Sequence, residues 1–260
     1  MNKFRLAAIS AIYFSGLAAS EAGVNLIQNG AFTSLNNGSS SYNGSGFFGP
    51  SSIAPGGVVP NTTVTGWTSL GYNYALSSAT VLPSGKTGFE LWDSANSSGA
   101  NTWNGVAPTG NFLALDGAYD TGKVYQDVSG LTVGRVYQIT FTYAFAQQQA
   151  FTGATSQGLQ VGLGTALNGG SNPFVWQSLN NSVQSQGFSG WNTVTVNFTA
   201  SAVKEELSFL ANSTPQVPPF ALITNVSLTA PGPAPGESLG ALALLSGLLL
   251  RARAKRRLSS

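Results

Sequence analysis

The chain is 260 residues long with 32 Gly, 12 Pro, no Cys and no His, and only 8% of it is charged. Those absences exclude imidazole general bases, thiol nucleophiles, thiolate metal centres and disulfides. Residues 23–230 carry four basic and seven acidic side chains, a net charge of −3; with no basic stripe to neutralise phosphate, nucleic acid is not expected as a partner.

Residues 1–22 have the pattern of a secretory signal helix: Lys3 and Arg5, an apolar stretch from Leu6 to Leu17, and the small-x-small site Ser20-Glu21-Ala22. Signal peptidase is the expected partner, with cleavage after Ala22 or after Ala19. The body, 23–230, then has a dominant period of two. β-Branched and aromatic runs are separated by Gly, Asn, Ser and Pro. Strands are expected at Asn25–Asn29, Asn111–Leu115, Val124–Val128, Tyr137–Phe145, Gly158–Leu163, Asn192–Thr199, Glu206–Leu210 and Ala221–Leu228, and residues 33–60 read as a long surface loop. In Val136–Tyr143 the residues Tyr137, Ile139, Phe141 and Tyr143 alternate with Val136, Gln138, Thr140 and Thr142; in Asn192–Phe198 the residues Val194, Val196 and Phe198 alternate with Thr193, Thr195 and Asn197. Strands with one apolar side must cover one another, so the expectation is an all-β, antiparallel β-sandwich.

Within the body, Glu90, Trp92, Asp93, Asn96, Asn101, Trp103 and Asn104 place aromatic rings beside amides and carboxylates. Sugars present apolar C–H faces and rings of hydroxyls, so this combination makes 90–104 the candidate sugar-binding stretch. Asp116 and Asp120, four residues apart after a strand, could contribute to a structural calcium site, although Asp and Gly are also ordinary turn formers. Gln147-Gln148-Gln149 reads as an exposed strand end, and Gly162–Leu167 as a glycine-rich turn, since it lacks the third Gly, following helix and downstream acid of a dinucleotide loop. Glu205 and Glu206 are adjacent on a strand and point to opposite faces, so they cannot share one scissile bond. A glycosidase pairing Glu90 or Asp93 with Asp116 or Asp120 has no support in the spacing, and no cofactor is implied.

Residues 231–260 close the chain with a Pro/Gly segment, the apolar run Leu239–Leu250 and a basic cluster from Arg251 to Arg257. Twelve residues of helix span about 18 Å, short of a hydrocarbon core of about 30 Å. The stretch Pro233–Arg257 resembles a PEP-CTERM sorting tail, with Pro233-Ala234-Pro235 for the usual Pro-Glu-Pro, Glu237 displaced, and Arg251 and Arg253 opening the basic end. That resemblance implies an exosortase-type sorting enzyme, transient membrane insertion through the tail, and delivery to the cell surface or extracellular matrix. The body is similar to galactose-binding-domain-like jelly rolls through Asn25–Phe32, Thr65-Gly66-Trp67, Gly88–Trp92, Gly110–Gly117, Val124–Val128, Leu131–Tyr137 and Phe220–Leu228. That fold is shared by many carbohydrate-binding modules but does not itself supply a ligand; the two sorting signals together with the aromatic, amide-rich loops point to a polysaccharide-associated, non-enzymatic protein. A structural or adhesive surface protein is the alternative, and a glycan hydrolase a third.

Overall fold

The computed structural model describes residues 23–37, 46–53, 62–77, 91–92, 111–149, 151–164 and 173–230. The expected signal helix and apolar tail helix lie outside the described residues. Thirteen strands occur among them: β1 Leu35–Asn37, β2 Gly46–Phe47, β3 Thr62–Val64, β4 Thr68–Ser69, β5 Asn73–Ser77, β6 Asn111–Asp116, β7 Val124–Ser129, β8 Val136–Gln147, β9 Thr155–Gly164, β10 Phe174–Val183, β11 Asn192–Thr199, β12 Lys204–Thr214 and β13 Pro219–Thr229. One sheet has the order β11-β8-β13-β6-β5-β2 and the other β10-β9-β12-β7-β4, with every pairing antiparallel; β1 and β3 form a separate ribbon.

The eight strands β6–β13 form a jelly roll. Each connection crosses from one sheet to the other except the β9–β10 hairpin, giving the four-strand orders β6-β13-β8-β11 and β7-β12-β9-β10. The expected antiparallel sandwich is therefore the fold. Its central core lies between the sheets and includes Leu113, Leu115, Val124, Ile139, Phe141, Phe145, Leu159, Val161, Leu207, Phe209 and Ile223. Phe141 meets Phe209 edge-on at 5.4 Å and Trp176 at 5.2 Å between ring centroids. Burying such a side chain stabilises by about 1.5–3 kcal/mol.

Several local expectations are corrected. Asn25–Asn29 is no strand: only Asn25 makes a bridge, to Thr229. The Asn25 carboxamide accepts from the amides of Ile27 and Leu228 (3.0 and 2.9 Å), which replaces ladder bonding with local bonding. The segment 33–60 contains β1, β2 and a short 3-10 helix, Ser51–Ile53. Of the expected turn Gly162–Leu167, Gly162–Gly164 lie inside β9, where Gly162 and Gly164 pair with Ser208 and Glu206 of β12, and residues 165–167 lie outside the described residues. β10 was not expected at all, since Phe174–Val183 lacks alternation and is placed by its pairing with β9.

The six-stranded sheet also departs from the one-wet-face reading. Along the first half of β8 the alternation holds, with Thr140 facing Thr195 (3.1 Å) and Thr142 facing Thr193 (3.0 Å) on the outer side. Beyond Tyr143 both faces are covered. Ala144 and Ala146 join Phe112, Ala114, Phe220, Leu222, Tyr74, Leu76, Phe47 and Leu91 in a second apolar cluster, packed by Phe188 and Trp191.

Candidate functional site

Strand direction gathers the site. β6 and β12 finish, and β5 and β13 begin, at one end of the sandwich, since Asn73 pairs with Leu115 and Phe220 pairs with both Asp116 and Ala146. Loops 70–72, 117–123, 148–154 and 215–218 therefore meet there. They enclose a cavity of about 300 Å³ lined by Tyr72, Asp116, Ala118, Tyr119, Gln148, Phe151, Gln216 and Pro218. That volume is at the small end for ligand pockets.

Aromatic surface is the main offering. Tyr119 is 65% exposed and Phe151 43% exposed, while Tyr72 is half-buried and meets Tyr119 edge-on at 5.4 Å. Tyr72 is fixed from behind: the Tyr74 hydroxyl donates to its hydroxyl at 2.6 Å, and Phe47 packs against its ring at 5.5 Å. Burial raises the hydroxyl pKa of both Tyr72 and Tyr74, so both remain protonated at neutral pH. The Gln216 amide donates to the Ala118 carbonyl (2.9 Å), and the Gln148 main-chain N–H to Pro218 (2.9 Å), tying the loops together.

Behind this surface stands a polar frame. Asn73 is fully buried. Its carboxamide donates to Ser69 Oγ (2.8 Å) and to the Gly122 carbonyl (3.1 Å), and it accepts from the Asp116 N–H (3.0 Å). Gly71 and Gly122 then cross in contact, so that a Cβ on Gly71 would stand 2.3 Å from the Gly122 nitrogen and one on Gly122 2.4 Å from the Gly71 nitrogen. Only glycine permits two backbones to approach in this way.

The expected residues are distributed unevenly. Glu90, Asp93, Asn96, Asn101, Trp103 and Asn104 lie outside the described residues. Trp92 is buried, donates its N–H to the Gln147 carbonyl (2.8 Å), and its indole Nε1 has no partner among the described residues. Its neighbour Leu91 bridges to Gln148, so the 90–104 stretch starts beside the loop that carries Gln148 and Phe151. Asp116 lines the cavity, but its carboxylate accepts the N–H groups of Tyr119 (2.8 Å), Asp120 (2.6 Å) and, at longer range, Ala118 (3.4 Å). Burial nevertheless raises its pKa above the ordinary 3.8, outweighing those donors. Calcium takes six to eight oxygens. The Asp116 carboxylate is bonded to its own turn, and no cluster of three His, Cys, Asp or Glu occurs among the described residues.

Other acidic groups serve the frame. Glu205 accepts from Ser201 N–H and hydroxyl (both 2.7 Å) and Ala202 N–H (2.9 Å), whereas Glu206 pairs with Lys123 on the opposite face. Gln147, expected at an exposed strand end, is wholly buried: its amide reaches the Gly153 carbonyl and Thr155 Oγ1 (both 2.9 Å), and its carbonyl accepts from Gln186 (2.6 Å). Tyr72, Phe151 and Gln216 escaped sequence reading because nothing local distinguishes them; Gln148 was read only as part of a strand end, and Tyr119 lies in the turn between the candidates Asp116 and Asp120.

A second cavity, about 390 Å³, lies along the β4–β7 edge against Gln28, Trp67, Thr68, Tyr125, Gln126 and Asp127. The Gln126 carboxamide there is internally occupied, bonded to the Gln28 backbone and the Gly66 carbonyl, and the Trp67 indole donates to the Gln28 carbonyl.

No family model and no curated protein matches the chain. Among solved structures, the K3 cleaved adhesin domain of Lys-gingipain from Porphyromonas gingivalis is similar at 12% identity and a TM-score of 0.40, covering 64% of this chain and 93% of that one. TmCBM61, solved with β-1,4-galactotriose, is similar at 13% identity and 0.37, covering 80% and 99%. The CBM22-1 xylan-binding domain of Paenibacillus barcinonensis Xyn10C stands at 12% and 0.37, covering 83% and 100%. At these values the functional reading rests on this chain's own residues.

Proposed function

We propose that this is an exported, non-enzymatic protein whose sandwich binds a neutral glycan at the loop-end cavity. The observation that carries the reading is the cavity itself, where Tyr119 and Phe151 offer exposed aromatic faces beside Gln148, Gln216 and Tyr72. Aromatic faces cover the C–H side of a pyranose, and fixed amides and hydroxyls answer its hydroxyls. Among the described residues the lining contains no Lys or Arg to attract a uronate or sulfate, and the Asp116 carboxylate repels them. Glu205 and Glu206 are buried in structural bonds away from the cavity, which supports binding over hydrolysis.

The chain ends supply the address in this reading. Residues 1–22 direct export through signal peptidase, and Pro233, Pro235, Glu237, Arg251 and Arg253 belong to a tail handled by an exosortase-type enzyme after transient membrane insertion. The product resides at the cell surface or in the extracellular matrix.

Capture on a neutral and acidic glycan array tests the site. Tyr119→Ala and Phe151→Ala each weaken retention of a neutral glycan about tenfold, in line with roughly 1.4 kcal/mol for a lost ring contact. Because both rings are exposed, the melting temperature stays within a few degrees. Undiminished retention by both variants overturns the site.

A further inference from the structure

The two sheets end on four strands, and three are poor templates for pairing. β2 and β4 are two residues long. β10 is broken by register shifts between Phe174 and Trp176 and between Ser178 and Asn181, with Asn180 in a left-handed conformation (φ 59°). Such irregularities are what keep natural sheet edges from pairing with other chains.

β11 has none of these protections. All eight residues, Asn192–Thr199, pair with β8 in unbroken register, and the segment contains no charge, Pro or Gly. Its other edge hydrogen-bonds to no described strand. On the inner side Val194 and Phe198 only half-cover the core, while Thr193, Thr195 and Asn197 stand exposed outside.

We infer that β11 is a homodimerisation edge, pairing antiparallel with β11 of a second copy so that two six-stranded sheets become one. Side chains directly opposite in antiparallel strands share a face, so a two-fold axis must pass through a residue. Through Val196, it sets Val194 against the partner copy's Phe198, Val196 against itself, Thr193 against Thr199 and Thr195 against Asn197. Both apolar and polar rows then continue across the seam. An axis through Thr195 would instead set Phe198 against Asn192, which leaves an apolar ring facing an amide. A second copy fits because this edge is self-complementary in the register centred on Val196, which pairs seven β11 residues, against five for an axis at Asn197, and brings no like charges together.

Sedimentation velocity on the full chain between about 1 and 100 μM tests the proposal, with amide exchange read in parallel. The expected result is a concentration-dependent dimer in which β11 amides gain protection. Thr195→Lys shifts dissociation at least tenfold toward monomer, and adding Asn197→Glu restores it, since those positions face each other across the axis. A monomer throughout overturns the proposal. So does a dimer unmoved by Thr195→Lys, or one that the double variant fails to rescue. Wild-type melting in both variants shows that the change lies at the seam, and an unfolded Thr195→Lys chain leaves amide protection in the wild type to decide.

Discussion

At the level of single residues, burial decides what each polar group does. Asp116 supplies a pH signature. Its carboxyl is held above 3.8 by desolvation, so the folded state favours the protonated form more than the unfolded chain does. The stability it contributes is full below pH 3.8 and is lost as pH rises through the higher folded value. Relative to Asp116→Asn, the wild type is therefore expected to lose melting temperature as pH rises from about 3.8 toward neutrality; a parallel pair of pH profiles would refute the assignment. Asn73 carries a different role, since three partners depend on one buried carboxamide. Asn73→Ala leaves the Asp116 N–H without its acceptor and is expected to cost about 1–3 kcal/mol by denaturant unfolding. Glycan retention falls with it, because Asp116 and Gly122 hold the loop on which Tyr119 sits.

Among the elements, regular period-two strands were legible and irregular ones were not. Asn192–Thr199 was read to the residue because each Thr or Asn faces solvent and each Val or Phe faces the core. β8 was read as a strand to Phe145, but with one wet face: past Tyr143 the outer face is covered too, and Ala144 and Ala146 sit where a wet strand would place polar groups. Gln147 shows how misleading local polarity can be. A run of three Gln suggests solvent, yet the first of them ties the β8 end to the β9 start and to the loop after β10. Gln147→Ala strands the donors and acceptors it serves, so about 1–3 kcal/mol of destabilisation is expected in a chemical melt, against a few tenths for Gln149→Ala.

Across the whole sandwich, polarity of the strands separates the cavity from Asn25 and Thr229, where the sandwich begins and ends. β13 runs from Pro219, beside the cavity residue Pro218, to Thr229, where Asn25 bridges back. Ten residue steps at about 3.3 Å place that bridge roughly 30 Å from the cavity. The body is thus entered and left at the end opposite the proposed glycan site. Protein immobilised through its C-terminus should retain neutral glycans as well as protein in solution does, and retention should change little between 50 and 500 mM salt because no basic group lines the site among the described residues. Loss of binding on C-terminal immobilisation would place the ligand elsewhere.

Amino-acid order alone determined the all-β class, most of the jelly-roll strands and the separation of a weakly acidic body from two basic ends. These follow from alternation and charge placement, which act over a few neighbouring residues. It also marked Asp116, Asp120 and Trp92, but not their surroundings: one carboxylate bonds its own turn and the indole is buried. Only the tertiary structure brought Tyr72, Tyr119, Gln148, Phe151 and Gln216 to one end, because antiparallel crossing places loops far apart in the chain side by side. Edge status was decided there as well. Whether a strand is covered on both sides or left open depends on sheet order, a property of the assembled jelly roll and not of any segment within it.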